Sequence, residues 1–431
     1  MVPHKGRRDY TYQTSVVVKI LESIIKDNVM EHLTSNGLLK SSQHGFLPGR
    51  SCLTNLLDFE HSLSSYLNDG HPCDVVYIDC AKAFDVIPHK RLIAKLEAHG
   101  ISGNVLKWIE AWLSGRRQRV VLNGKSSDWT NVTSSIVQGS CLGPTLFLIY
   151  INDLDEGIRS SLLKFADDTK VYRPILSEKD HDILQSDLNR LQKWSDTWCL
   201  RFNPSKCTIL RYGASGTEPY YINGIQIKSG NEEKDLGVTF EVNGKVGMQC
   251  RLAAKAATFT LGQIKRNFNT RSPSLMLKLY KQYCRPKLDY CTQVWNPCYK
   301  KDINVLEAVQ KRFVSLIKGL KSDTYEDKLG ELGLTTLERR RHRGDCLEVY
   351  KILNNIEGLD CSKYFNFVEE SNPFHTRSVS KKLLKIKRHS NNFGRHSFQT
   401  RAALSWNSLP LEIRDSPSVN SFKARYDSYH T

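Results

Sequence analysis

Three aspartates carry the first sign of chemistry. Asp79 closes the apolar run Val75-Val76-Tyr77-Ile78, and Asp167-Asp168 follow Leu162-Leu163-Lys164-Phe165. Each reads as a carboxylate at the end of a buried strand, the second pair lying at the turn of a hairpin. Carboxylates at adjacent strand ends can converge on hard divalent cations. Two Mg2+ ions roughly 3.5–4 Å apart can activate an attacking oxygen and stabilise a leaving one. The reaction such a centre serves is in-line phosphoryl transfer. Judged alone, an aspartate pair at a turn is better explained as a turn former, and Asp79 by itself is no stronger. Order and context have to decide.

The elements that must position these residues are interleaved helices and strands. Val17, Ile20, Leu21, Ile24, Ile25 and Val29 predict an amphipathic helix over 16–33, whereas residues 1–14 show no period. A strand over 74–79 precedes a helix opened by Pro88 and running to about His99, and Leu106, Ile109, Trp112 and Leu113 mark another helical face. Gln118–Leu122 followed by Asn123-Gly124 predicts a strand and tight turn, with a further strand over 132–137. A helix over 144–154 leads into the hairpin whose tip lies at 166–168, and Ile183, Leu184, Leu188, Leu191, Trp194 and Trp198 line one more helix. Strands at 208–212, 220–227 and 236–240 complete an α+β pattern. Beyond Gly244 the strand signal almost vanishes. Helices are predicted at 247–268, 272–285, 300–318 and 337–354, ending in a Ser/Asn/Arg-rich tail.

Charge follows the same division. The 431 residues hold 62 Lys+Arg against 45 Asp+Glu, a formal charge of +17. Residues 1–240 have 28 basic and 27 acidic side chains, the remainder 34 and 18. A balanced half is joined to a polycation, which implies a polyanionic partner, with a membrane surface and plain solvated basic helices as the competing explanations. No apolar run approaches the roughly 18 residues of a membrane span, and no signal-peptide core is evident. An intracellular protein, in nucleus or cytoplasm and without a membrane partner, is expected. The 12 cysteines include no CxxC pair, so they read as ordinary thiols in a reducing compartment rather than a disulfide or zinc framework.

Several segments occur in a telling order. Gln43-His44-Gly45-Phe46-Leu47-Pro48-Gly49-Arg50-Ser51 precedes Tyr77-Ile78-Asp79-Cys80-Ala81-Lys82-Ala83-Phe84-Asp85. Gln138-Gly139-Ser140-Cys141-Leu142-Gly143-Pro144 then leads to Tyr150-Ile151-Asn152-Asp153 and Phe165-Ala166-Asp167-Asp168. Trp198 to Lys206 and Asp235-Leu236-Gly237-Val238 complete the series. It resembles the reverse transcriptases of non-LTR retrotransposons, the jockey-like group above all, over most of residues 40–240. The segment from Arg285-Pro286 through Trp406-Asn407-Ser408-Leu409-Pro410 is similar to their C-terminal region.

The resemblance implies a right-hand polymerase. Residues 1–73 would be a partial fingers region, 74–243 the palm-centred core, 244–320 a helical thumb and 321–431 a basic C-terminal extension. Asp79, Asp167 and Asp168 would hold two Mg2+ ions, with Mn2+ as a substitute, and Lys206 would protonate pyrophosphate. Phe84 would exclude a ribose 2′-hydroxyl, the bland alternative being a core aromatic. Gln138-Gly139 would border the incoming nucleotide, glycine permitting close backbone approach. Arg50 would neutralise the triphosphate, as guanidinium suits phosphate. Leu236, Gly237 and Val238 would grip the primer terminus, the bland alternative being a packed hairpin.

RNA template, DNA primer and dNTPs are the implied partners, and RNA-directed DNA polymerisation the implied activity. Lys381, Lys382, Lys385, Lys387 and Arg388 read either as a strand contact or as a nuclear signal. Two features depart from the family pattern: Tyr10–Ser15 lacks the customary Arg-Pro, and Val137 replaces the proline before Gln-Gly. With no upstream endonuclease domain the chain is expected to be a fragment unable to nick its own target. The alternative is therefore a catalytically inactive nucleic-acid-binding remnant of such an element.

Overall fold

In the computed structural model, residues 16–213, 216–368, 382–389 and 391–430 are described. The divergent Tyr10–Ser15 segment and Lys381 of the basic cluster lie outside them. The centre is a five-stranded sheet built from β1 (Cys73–Ile78), β2 (Ser161–Phe165), β3 (Asp168–Pro174), β4 (Thr208–Tyr212) and β5 (Lys228–Gly230), in the order β5-β4-β1-β3-β2. Only β4 and β5 pair in parallel. A second hairpin, β6 (Glu232–Asp235) with β7 (Val238–Glu241), follows directly.

The continuous apolar run of β1 is explained by burial on both faces, because successive side chains of a strand point to opposite sides. Val75 joins a layer containing Phe59 of helix α2 (Cys52–Asn68), together with Tyr172, Leu210 and Tyr212. Val76 and Ile78 join the opposite layer with Val171, Ile209, helix α3 (Gly143–Ile151) and helix α4 (Glu178–Trp198). The sheet is thus the middle of three layers. Helix α1 (Val16–Ser35) lies in the second layer through Val29 and Leu33.

Beyond β7, described residues form helices and one isolated bridge, Phe367 with Leu384. The main ones are α5 (Gly247–Asn267), α6 (Lys300–Leu316), α7 (Leu337–Leu353), α8 (Phe398–Asn407) and α9 (Val419–Tyr429). All share the core layer of α2. Three expectations are corrected here. The helix over 272–285 is interrupted: an α segment, Pro273–Leu279, widens into a π-type turn, Tyr280–Cys284, before Pro286, where Arg285 N–H donates to Tyr280 O at 2.9 Å. The strand over 132–137 is instead a loop, its backbone bonded to Ile87 and Phe84 rather than to a sheet. The polar tail is helical from Asn392, because Phe398, Ala402, Trp406 and Phe422 supply a buried face among its polar residues.

All cysteines are free thiols, and no described helix is long and apolar enough to cross a membrane.

Candidate active site

Register places the carboxylates. Ile78 of β1 is paired with Thr169 of β3, so Asp79 emerges one residue past the ladder beside Asp168. On the other side Phe165 pairs with Asp168, leaving Ala166 and Asp167 as the two-residue turn of the β2–β3 hairpin. Ala166 adopts φ +55°, a left-handed conformation that a non-glycine residue takes only when its surroundings impose it.

The surroundings that impose it come from Ser42-Gln43-His44-Gly45. The Gln43 Oε1 accepts from Ala166 N–H at 3.0 Å and from Gly45 N–H at 2.8 Å, while His44 N–H donates to Lys164 O at 2.8 Å. Gly45 passes so close that a Cβ there would sit 2.4 Å from Ala166 N. This loop is fastened in turn to α2, whose N-terminus is closed by a reciprocal Ser51/Thr54 capping box, and Asn55 donates to Lys164 O at 3.1 Å. Lys164, fully buried, points the other way. Its ammonium donates to the carbonyls of Ile151 and Asn152 at 3.3 and 3.2 Å and pairs with Asp155 at 3.2 Å, tying the hairpin to the end of α3.

Asp79 is held by the 201–206 turn: Asn203 N–H donates to Asp79 O at 2.8 Å, and Lys206 Nζ lies 3.2 Å from its carboxylate. Asp79, Asp168, Lys206 and Leu236 line one cavity of about 120 Å3, with Lys170 and Asp235 in its wall. Asp167 adjoins it through the turn, its carbonyl facing the Cys80 thiol at 3.8 Å. Burial, then the charges of Asp167, Asp235 and Asp79, push the Asp168 carboxyl up to about 6. Asp167 is also raised, by burial first and Asp79 second. Asp79, Asp168 and Asp235 line the cavity and Asp167 adjoins it, an oxygen donor set of a kind that suits hard cations. Among the described residues no three acidic, His or Cys side chains already converge at coordinating distance.

The remaining sequence-predicted residues fall into three places. Phe84, half-buried, stacks on Phe147 of α3 with centroids 4.3 Å apart and meets Phe46 edge-on at 6.4 Å. Gln138 donates to Asp85 at 2.8 Å, beside Gly139 at φ +79°, so these residues lie next to the Phe84 segment and outside the lining of the cavity. Leu236 and Gly237 form the β6–β7 turn at φ +44° and +86°, held by the Tyr290 hydroxyl donating to Leu236 O at 2.8 Å. Val238 points into the core. Arg50 is set apart: its guanidinium donates to the carbonyls of Ser41 and Gln43, next to Gly358.

Four positioning residues had been given no role from sequence: Gln43, Lys164, Lys170 and Asp235. Lys170 of β3 is enclosed and ion-paired with Asp235, which joins the carboxylate hairpin to the β6–β7 hairpin. Their signal was present in part. A lysine inside an apolar strand, as in Leu-Leu-Lys-Phe or Lys-Val-Tyr, must find a partner.

Residues 3–240 match the family model for reverse transcriptase (RNA-dependent DNA polymerase). The chain belongs to the reverse transcriptase family. Among curated relatives of this chain is the probable RNA-directed DNA polymerase from transposon X-element of Drosophila melanogaster, 27% identical over 319 residues, which cover 70% of this chain and 34% of that one. The RNA-directed DNA polymerase from mobile element jockey of Drosophila funebris is 25% identical across 70% of this chain and 34% of its own length. The Pol polyprotein from type-1 retrotransposable element R2 of Popillia japonica is 26% identical across 56% and 42%. The chain thus spans about a third of the length of the first two. Among solved structures, telomerase from Candida albicans in complex with a fragment of telomeric RNA aligns at TM-score 0.43 and 10% identity, over 79% of this chain and 52% of that one.

Proposed function

We propose that this chain is an RNA-directed DNA polymerase in which a primer 3′-oxygen attacks the α-phosphorus of a dNTP on an RNA template, releasing pyrophosphate. The observation that carries this reading is the strand register, which brings the chain positions of Asp79, Asp167 and Asp168 side by side at one end of a buried sheet. We read the sheet as palm, the loop at 43–50 as part of the fingers, and the helices after Gly244 as thumb and extension. Asp79, Asp167 and Asp168 would hold Mg2+, or Mn2+, which supplies Lewis-acid stabilisation of phosphoryl oxygens when bound.

Lys206, its ammonium 3.2 Å from Asp79, would donate a proton to departing pyrophosphate. Phe84, braced by Phe147, presents a rigid edge against which a 2′-hydroxyl would clash. Gln138 is oriented by Asp85 to border the nucleotide, and the Leu236-Gly237 backbone supports the primer terminus. The excess positive charge of the helical half suits an RNA·DNA hybrid, recognised by phosphate and shape.

The full chain should extend a DNA primer on an RNA template with Mg2+ and dNTPs, and Asp167→Asn should abolish extension. Extension by that variant at the wild-type rate would refute the assignment. A second reading, binding of nucleic acid without catalysis, draws on Arg50, whose guanidinium is committed to backbone carbonyls rather than to open space. It predicts salt-sensitive RNA binding and no extension at any Mg2+ or Mn2+ concentration.

A further inference from the structure

Between the Phe84 segment and Gln138 the chain runs out into an exposed arm. Every residue from Arg117 to Asn131 is exposed. Two short antiparallel ladders, Arg117–Gln118 with Thr130–Asn131 and Val121–Leu122 with Lys125–Ser126, are turned by Asn123-Gly124 at φ +49° and +77°. The root is firm. Ser135 N–H donates to Ile87 O and Ile136 N–H to Phe84 O at 3.0 and 2.8 Å, while Arg116 bonds the carbonyls of Leu113 and Ser135.

An isolated two-stranded ribbon is marginal in water, so one that bares large apolar groups asks for a partner. Trp129 is 55% exposed, and Val121 and Leu122 at the tip are 58% and 70% exposed. The Arg119 and Arg117 guanidiniums lie 4.7 and 5.8 Å from the Trp129 ring centre. Directly opposed residues of a ribbon share a side, so Arg117, Arg119, Trp129 and Asn131 form one surface. From Ser114 to Thr133 the chain has Arg116, Arg117, Arg119 and Lys125 against Asp128 alone. None of the ion pairs among the described residues involves Arg117, Arg119 or Lys125. The balanced half of the molecule thus concentrates positive charge on this one projection.

We propose that this arm binds single-stranded template RNA just ahead of the site, stacking a base on Trp129 and pairing phosphates with Arg117 and Arg119. Trp and Arg in alternation match single-stranded nucleic acid, because every base has a π-face and every linkage a charge. The strand is taken as the uncopied template because the arm's root bonds to the Phe84 segment and leads into Gln138, the residues proposed above to border the incoming nucleotide. That last step rests on the polymerase reading.

The test is anisotropy titration of the full chain with two labelled RNA·DNA hybrids, one blunt and one with a single-stranded 5′ RNA overhang. Trp129→Ala should weaken the overhang substrate about tenfold, within the range of base–aromatic stacking, and leave the blunt one unchanged. Arg117→Ala/Arg119→Ala should lower the salt slope for the overhang by about 1.4. Because Arg117, Arg119 and Trp129 are exposed, both variants should keep the wild-type melting curve. Equal affinity of wild type for the two hybrids, or an equal effect of Trp129→Ala on both, overturns the proposal, as it would if the arm docks a protein. Primer extension separates the two readings. A wild type that extends, with no selective Trp129 effect, removes the arm alone; selective binding without extension removes the polymerase activity alone.

Discussion

Breaking the Lys170–Asp235 pair tests whether the two hairpins of the site are held as one body. The Lys170 and Asp235 side chains are only 3% and 8% exposed, and the ammonium also lies 4.8 Å from the Phe59 ring centre. Asp235→Asn leaves an enclosed ammonium without its directly paired carboxylate, with the weaker attractions of Asp168 and Asp58 remaining. Removing one member of a buried pair costs about 3–5 kcal/mol, whereas replacing both by apolar residues of similar volume is often neutral. Urea unfolding followed by tryptophan fluorescence should therefore show Asp235→Asn destabilised by about 3–5 kcal/mol, and Lys170→Met/Asp235→Leu within about 1 kcal/mol of wild type. The double-mutant cycle isolates the coupling. Hydrogen exchange should locate the loss in β3 and β6 together. A cost below about 1 kcal/mol for Asp235→Asn, the range of solvated surface pairs, would refute the reasoning.

Two further perturbations act on the supports of the site. Gly45→Ala puts a methyl carbon 2.4 Å from Ala166 N, so the turn bearing Asp167 must shift; about a 100-fold fall in primer extension is expected with RNA binding retained, since an ångström of misplacement costs that much. Glu60 of α2 accepts from Phe398 N–H at 3.1 Å, and burial pushes its carboxyl up to about 7. The folded state then holds a proton that the unfolded chain releases near its ordinary value, so this group's contribution is full at low pH and is lost as pH rises through about 7. Glu60→Gln should gain stability over wild type between about pH 4.5 and 7, levelling near 3 kcal/mol above that range. Melting curves across that range would show a constant difference if the carboxyl were already ionised.

Much of the carboxylate geometry could be read before the structure, for a local reason. Asp79, Asp167 and Asp168 are placed by short strands and a two-residue turn, whose apolar runs announce themselves. What holds them could not be read, because it is distant in sequence. Gln43 reaches Ala166 across 123 residues, and Lys170 reaches Asp235 across 65. A lysine in a strand signals only that some partner exists. The strand expected at 132–137 shows the opposite failure: Val132, Ile136 and Val137 are apolar as a strand would have them, but Ser135 and Ile136 N–H bond to Ile87 and Phe84 carbonyls instead of a sheet ladder. Likewise Phe398, Trp406 and Phe422 are spaced too sparsely among polar residues to declare a core face, yet all are buried against the layer that contains α2.

The seam between α2 and α8 also sets the order in which the molecule can be finished. Glu60 waits 338 residues for the Phe398 amide, and Gly49 O takes its hydrogen bond from Gly358. At about 5–20 residues per second, a ribosome needs roughly 20–70 s to deliver that partner. Throughout that interval the helix that steadies the carboxylate turn has one bare apolar side. Closure of the layer around α2 therefore waits until the chain has been made as far as Phe398, and the segment that emerges before it is the species that chaperones meet.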